Sequence, residues 1–163
     1  PAHALGTAVS SIAGQNIGVQ NWSRVRLIAR YGVLYNLSVM FIIGLLIFVF
    51  AEFAVRLFIQ ESDAVAFATT YLRIIAFCFP FLGINFILNG VVRAAGAMYQ
   101  VLALNILSFW VLRYPLTALF AKMYGEIGIA IGMGLSFIVS SGAAALYYRY
   151  GKWREKKLFS EEG

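Results

Sequence analysis

The sequence predicts an all-α, polytopic transmembrane helix bundle with four complete spanning helices and the end of a fifth. Four apolar stretches, 32–51, 74–92, 101–121 and 127–148, are each about 20 residues long, the length that a helix needs to cross a bilayer. Of the 163 residues, 61% are hydrophobic and only 12% are charged, whereas about a quarter are charged in soluble domains. The remaining charges cluster at the ends of the apolar stretches, as in membrane helices.

The chain begins with the end of a helix. Residues 1–19 are small and weakly polar, and the opening lacks both a Met and a basic signal-peptide start, so we expect further chain before Pro1. The next segment, 20–31, holds three arginines and predicts a basic cytoplasmic loop or surface helix, with Trp22 and Tyr31 at the depth of the headgroups.

The loop charges predict an orientation in the cell membrane. Lys and Arg concentrate in alternate loops and in the tail, which under the positive-inside rule places the tail, 149–163, in the cytoplasm. The acidic loop around Glu61 and Asp63 then lies outside. A net charge of +6 distributed in this way indicates a membrane protein and no nucleic-acid partner.

Two prolines fall inside apolar stretches. Pro80 and Pro115 each remove a backbone donor, so we expect a kink at each and a freed carbonyl at Ala76 and Val111. Freed carbonyls can line a transport path, although kinks often serve packing alone.

The last apolar stretch carries a ridge of small residues at spacing four: Gly128, Gly132, Ser136, Ser140 and Ala144. Such ridges let helix backbones approach closely in lipid, so we expect a tightly packed helix pair. A lined pathway along the ridge is the less favoured interpretation.

No enzyme or metal site can be assembled from the sequence. His3 is the only histidine, Cys78 is the only cysteine, and the seven acidic residues lie in loops, at helix ends or in the tail. We therefore predict no catalytic residue, no metal and no cofactor.

Polar groups inside the apolar stretches are the candidate functional residues. Arg113 lies near the middle of its stretch, where an uncompensated arginine costs about 2.5 to 3.5 kcal/mol, so it faces a wet cavity or forms a helix-locking contact. Asn85, Asn89 and Arg93 form a row at spacing four, and Asn105 adds polarity to the next helix. The asparagines can bind a cation or substrate, or can join helices at about 1 kcal/mol each.

Two motifs narrow the function. Gly14-Gln15-Asn16-Ile17-Gly18 resembles the G-Q-N-x-G signature of the multidrug and toxic compound extrusion (MATE) transporters. The stretch that contains Gly90, Arg93 and Gly96 is similar to that family's G-x-x-R-G-x-G stretch, and Tyr71-Leu72-Arg73-Ile74 and Phe79-Pro80-Phe81 also fit the pattern. The order and spacing of these motifs agree over nearly the whole chain.

The resemblance implies a twelve-helix transporter with two six-helix bundles and both termini in the cytoplasm, which exchanges Na⁺ or H⁺ for organic cations. Residues 1–163 would then be the C-terminal portion of such a protein, from the eighth helix to the twelfth. Its partners would be membrane lipid, small organic cations and the missing N-terminal helices. A lipid-linked saccharide flippase of the same superfamily and a non-transporting membrane scaffold subunit are the alternatives.

The chain departs from the family pattern at two places. Ala94 or Ala95 stands where the family often has Gly, and Ala97-Met98 replaces an acidic or hydroxyl residue after the last glycine. Some members also carry a coupling carboxylate in the helix that corresponds to 74–92, where this chain has none. We therefore expect the coupling carboxylate to lie outside this chain.

Overall fold

The computed structural model describes residues 1–155, and all its regular structure is helical. The order of elements is α1 (Ala2–Gly18), α2 (Trp22–Arg56), α3 (Ser62–Ala94), α4 (Met98–Ile106), a π-helical segment (Leu107–Leu112), α5 (Arg113–Tyr124), α6 (Glu126–Tyr150) and a 3₁₀ turn (Lys152–Glu155). The predicted tail, 149–163, therefore lies partly outside the described residues.

Four helical runs are long and apolar enough to cross a membrane: Trp22–Arg56, Ser62–Ala94, Met98–Tyr124 and Glu126–Tyr150. The third run comprises α4, the π segment and α5. Each run contains one of the four predicted apolar stretches, so the prediction of four spanning helices is confirmed.

The helices extend well beyond the apolar stretches. Residues 22–31, expected to be a basic loop or a surface helix, are helical, but they are the first turns of the spanning helix α2 and not a separate element. The cause is local, because Asn21 caps the helix by accepting a hydrogen bond from the Arg24 amide at 3.2 Å. At the other end of α2, Arg56 forms an ion pair with Glu52 at 2.8 Å, and this spacing of four stabilises the last turns of the helix.

Helix α3 is the centre of the bundle and packs against α1, α2 and α6, while α5 packs on α6. Close backbone approach joins α1 to α3, since a Cβ on Gly90 would lie 2.8 Å from the Gly6 carbonyl oxygen. The main core cluster combines α1, the start of α2 and the end of α3. A smaller cluster joins α3 and α6 around Ile75, Ala130 and Phe137.

The α5–α6 pair packs tightly along the small-residue ridge, as predicted. All five ridge residues are buried. A Cβ on Gly132 would lie 2.6 Å from the Thr117 Cα, so the helices touch through their backbones. The turn between them requires Gly125, whose φ is +66°.

The two ends of the bundle differ in charge. The end with the α1–α2 connection, the α3–α4 connection and the C-terminus of α6 is called here the basic end, and its cations are Arg24, Arg26, Arg30, Arg93, Arg149, Lys152 and Arg154. The opposite, acidic end carries Glu52, Glu61, Asp63 and Glu126 together with Arg56 and Lys122.

Candidate functional site

Three predicted candidates meet inside the bundle. The Asn89 amide group donates from Nδ2 to the Asn85 Oδ1 at 2.6 Å and to the Asn105 Oδ1 at 3.2 Å. Spacing four places Asn85 and Asn89 on one face of α3, and the short α3–α4 connection brings Asn105 opposite them. Asn85 and Asn89 are buried. The three side chains form a neutral polar network within an apolar bundle.

The fourth candidate, Arg113, packs against α6. Its Nε donates to the Ser136 Oγ at 3.3 Å. Its guanidinium carbon lies 4.7 Å from the Phe109 ring centre and 5.0 Å from that of Phe137, so two aromatic faces flank the charge. The side chain is partly buried.

Helix α6 connects Arg113 to α3. Ser136 is fully buried, and its hydroxyl also donates to the Met133 carbonyl at 2.6 Å. The Tyr71 hydroxyl of α3 donates to the Met133 sulfur at 3.4 Å. Met133 and Ser136 are three residues apart, so Tyr71 and Arg113 bond to neighbouring residues on one face of α6.

A polar residue that the sequence reasoning missed lies at Pro80. Asn36 of α2 is completely buried, and its Nδ2 donates to the Pro80 carbonyl at 3.3 Å. A Cβ on Gly83 would overlap the Asn36 amide, so a glycine makes room for it. The signal was present, because Asn36 is the single amide within 32–51.

The carbonyl that Pro80 frees also faces α2. Helix α3 continues through Pro80 without interruption. A Cβ on Gly44 would lie 2.7 Å from the Ala76 carbonyl oxygen, so only a glycine admits this approach. These contacts assign the proline to the α2–α3 interface.

Pro115 affects the helix differently. It is the third residue of α5, the helix that directly follows the π segment Leu107–Leu112. A proline at this position cannot donate to the Val111 carbonyl, and a π turn is a recognised way for a helix to accommodate such a defect. The wide turn of the π segment ends just before Arg113, two residues before Pro115, while the kink itself stays a prediction.

The family motifs meet at the basic end. A Cβ on Gly14 would lie 3.9 Å from the Ala94 Cβ, which brings the end of α1 against the end of α3. The Asn16 side chain bonds within its own helix, donating to the Ile12 carbonyl at 2.8 Å. Gly96 has a φ of +80°, which favours glycine at this turn. Gln15, Gly18 and Arg93 are exposed.

An aromatic cluster that the sequence reasoning also missed closes the basic end. Trp153 is 1% exposed, and its Nε1 donates to the Tyr148 carbonyl at 2.8 Å. Its ring stacks on Tyr148 at 5.2 Å and meets Trp22 edge-on at 6.1 Å. The guanidinium of Arg154 lies 4.9 Å from the Trp153 ring centre. The segment after α6 therefore packs beneath the start of α2.

One further arginine lies inside a span. The expected apolar stretch began at residue 74, but α3 begins at Ser62, which places Arg73 within the helix. The Arg73 Nε donates to the Phe48 carbonyl at 3.3 Å, and its guanidinium lies 5.4 Å from the Phe48 ring centre. Arg73 thus joins α3 to α2.

Residues 1–119, more than half of the chain, match the MatE family. The chain belongs to the MatE family. This membership confirms the sequence-based recognition, and membership of a transporter family also confirms that the chain is not an enzyme.

Two relatives of the MatE chain carry multidrug resistance names. It is 60% identical over 162 residues to the probable multidrug resistance protein YpnP of Bacillus subtilis strain 168, matching 99% of this chain and 36% of the relative. It is 26% identical to the probable multidrug resistance protein NorM of Thermotoga maritima, matching 99% of this chain and 35% of that protein. The chain therefore spans about a third of the length of these relatives.

The fold agrees with solved structures of this family. The Vibrio cholerae MATE transporter VcmN in its bent form superposes with a TM-score of 0.85 at 25% identity, over 92% of this chain and 34% of that one. A point mutant of VcmN gives a TM-score of 0.82 at 24% identity, over 91% and 35% of the two chains. The all-α fold class is confirmed, and the chain is a segment of a multi-pass membrane protein.

Proposed function

We propose that this MatE segment is part of a secondary active antiporter that exports organic cations or drugs in exchange for Na⁺ or H⁺. The observation that carries the proposal is the hydrogen-bonded network of the buried Asn85 and Asn89 with the partly buried Asn105. Family membership and the multidrug resistance names of its relatives support the transport class.

The asparagine network can form an uncharged polar part of the lining of a cation path. Burying an amide in an apolar bundle costs free energy unless it is hydrogen-bonded, and here the Asn89 Nδ2 donates to one oxygen on its own helix and one on the next. Amide oxygens can coordinate a cation or accept from a substrate N–H. The network carries no charge, so the carboxylate that exchanges protons or Na⁺ is assigned to another part of the transporter.

The charge asymmetry supports a cytoplasmic basic end. Seven cations lie at that end among residues 1–155, whereas four carboxylates lie at the opposite end. Under the positive-inside rule, the C-terminus is cytoplasmic and the transporter is a multi-pass protein of the cell membrane. The rest of the transporter, membrane lipid and small organic cations are its partners.

Transport by the full-length transporter in proteoliposomes tests the proposal. We expect ethidium to move against its gradient when a Na⁺ or a pH gradient is imposed, and to stop when that gradient is collapsed. Asn89→Ala, which removes the donor shared by two oxygens, should slow this coupled movement. The matched control is Ser38→Ala, because the Ser38 hydroxyl donates to the Leu34 carbonyl of its own helix at 3.1 Å.

The outcomes separate the alternatives. Ethidium movement that ignores both gradients would contradict antiport. Movement of a lipid-linked saccharide without ethidium export would favour the flippase alternative, and absence of any transport would favour a scaffold. Normal coupled export by Asn89→Ala, at normal membrane abundance, would remove the asparagine network from the pathway.

A further inference from the structure

A groove of about 620 Å³ lies between α1 and α2, in the half of the bundle at the basic end. Apolar and aromatic side chains form its walls, among them Val9 and Ile12 of α1 and Leu27, Tyr31 and Tyr35 of α2. Its volume lies within the range of about 300 to 1,000 Å³ that is typical of small-molecule sites. The three side chains from α2 are each at least half exposed in the described chain, so the groove is open on its outer side.

Arg24 is the cation at the mouth of the groove. It lies in the first turn of α2 and is the charged residue that lines the groove. A helix turns by about 100° per residue, so Arg26 and Arg30 of the same helix are turned about 160° and 120° away from Arg24. One of the three arginines at the start of α2 therefore faces the groove.

Arg24 has no carboxylate partner among residues 1–155. The ion pair within this part of the chain joins Arg56 to Glu52 at the acidic end, which is the opposite end of the bundle. The N-terminus of α2 lies beside Arg24, and the positive end of a helix dipole also favours an anion. The mouth of the groove is thus suited to a negatively charged group.

The groove extends about as deep as one leaflet of the membrane. Arg24 and Tyr35 are eleven residues apart in α2, which corresponds to roughly 16 Å at 1.5 Å per residue. The hydrocarbon core is about 30 Å thick, so one leaflet contributes roughly 15 Å. In the deep part of the groove α1 and α2 touch, because a Cβ on Gly32 would lie 2.8 Å from the Val9 Cγ2. A ligand that fills the groove therefore has an anionic head at the membrane surface and an apolar body that reaches the bilayer centre.

We propose that the groove between α1 and α2 binds an anionic phospholipid, with its phosphate on Arg24 and one acyl chain against Tyr31 and Tyr35. The guanidinium donates charge-assisted hydrogen bonds to the phosphate oxygens, and the acyl chain covers the apolar walls. An anionic headgroup is favoured over phosphatidylcholine, because the choline cation would lie beside an arginine that no carboxylate of residues 1–155 neutralises. The inference gives the proposed membrane transporter a lipid site and does not depend on the substrate that it exports.

The test is photolabelling of the purified full-length transporter in nanodiscs of phosphatidylcholine. The discs also contain a small fraction of phosphatidylglycerol that bears a diazirine near the end of one acyl chain. In the wild type, mass spectrometry should find the label on the two groove segments, residues 9–12 and 31–35. Unlabelled phosphatidylglycerol should compete about fivefold better than added phosphatidylcholine, which is the effect expected of one basic residue near the membrane surface.

Arg24→Gln should reduce the labelling of these segments about fivefold for the same reason. The matched control is Arg30→Gln, which removes an equal charge from the same end of α2 but from a different face, and should be labelled as the wild type is. Both arginines are exposed, so neither change should alter the unfolding midpoint without phosphatidylglycerol. Added phosphatidylglycerol should raise the midpoint of the wild type and of Arg30→Gln more than that of Arg24→Gln.

Three results would overturn the inference. The first is absence of label from the groove segments of the wild type, which would mean that another part of the transporter covers them. The second is labelling that Arg24→Gln reduces no more than Arg30→Gln does, which would indicate a general attraction of the basic end for lipid. The third is equal competition by the two unlabelled lipids. Ethidium export that persists in any of these cases would leave the proposed antiport intact.

Discussion

Asn36 of α2 donates a hydrogen bond from its Nδ2 to the carbonyl oxygen of Pro80 in α3, at 3.3 Å. The amide is completely buried, and Gly83 leaves the space that it occupies. On the same interface the Ala76 carbonyl, which Pro80 deprives of its helical donor, approaches Gly44. Gly83 thus leaves room for the buried Asn36 amide, and Gly44 lets the backbone of α2 approach the Ala76 carbonyl of α3.

Gly83→Ala should therefore destabilise the transporter by about 1 to 3 kcal/mol, because the added methyl group overlaps the Asn36 amide. The control is Gly142→Ala in α6, where an added Cβ has nothing within 4 Å and alanine improves helix propensity. Thermal unfolding followed by fluorescence of the full-length protein measures both. Asn36→Ala should reduce the cost of Gly83→Ala, and strict additivity of the two changes would contradict the overlap.

The glycines of the family motifs should separate into structural and non-structural positions. A Cβ on Gly90 would lie 2.8 Å from the Gly6 carbonyl oxygen, a backbone atom that cannot rotate away. Gly90→Ala should therefore lower membrane abundance and the midpoint of thermal unfolding. Gly18→Ala meets open space and should leave both unchanged. Equal losses of abundance for the two variants would contradict this assignment.

The fold could be predicted because the length and hydropathy of an apolar stretch are enough to identify a membrane-spanning helix. The helix ends could not, because the turns outside the hydrocarbon are stabilised by local contacts that hydropathy does not record. The cap at Asn21 is an example, since it begins α2 ten residues before the apolar stretch that starts at Gly32.

The candidate site was predictable only where its geometry is local. A spacing of four places Asn85 and Asn89 on one face of α3, and the short connection between α3 and α4 places Asn105 opposite them. Asn36 bonds to a backbone carbonyl 44 residues away, and a carbonyl leaves no signature in the sequence. Trp153 likewise lies in a basic tail whose charges indicated solvent, yet its ring is buried among aromatic neighbours.

Trp153→Ala should loosen the basic end. Removing a buried tryptophan costs about 3 to 5 kcal/mol when the site cannot collapse, and the ring contacts both Tyr148 and Trp22. We expect a lower unfolding midpoint and faster proteolysis after α6. Trp110→Ala is the control, because Trp110 is 75% exposed in this chain. Proteolysis that is equally fast in both variants would contradict a locking role for Trp153.

Pro115 should determine how far α4 is rotated about the helix axis relative to α5. Its missing N–H leaves the Val111 carbonyl without an α-helical donor, and the π segment Leu107–Leu112 widens the helix just before α5. Pro115→Ala restores the donor, so the wide turn should revert to α-helix. A π turn holds one extra residue, so its loss would shift the helical register by one residue. This shift rotates α4 by about 100° relative to α5 and would turn Asn105 away from Asn89.

Cross-linking measures this rotation directly. In the full-length transporter with Cys78 and every other cysteine replaced by Ala, Asn89→Cys and Asn105→Cys should form an oxidative cross-link readily, since the native Asn89 Nδ2 and Asn105 Oδ1 lie 3.2 Å apart. Adding Pro115→Ala should reduce its rate several-fold, whereas Leu116→Ala, which alters no backbone donor, should not. An unchanged rate with Pro115→Ala would mean that tertiary packing, and not the proline, maintains the π turn. A reduced rate would tie the position of the asparagine network to a proline ten residues further along the chain than Asn105.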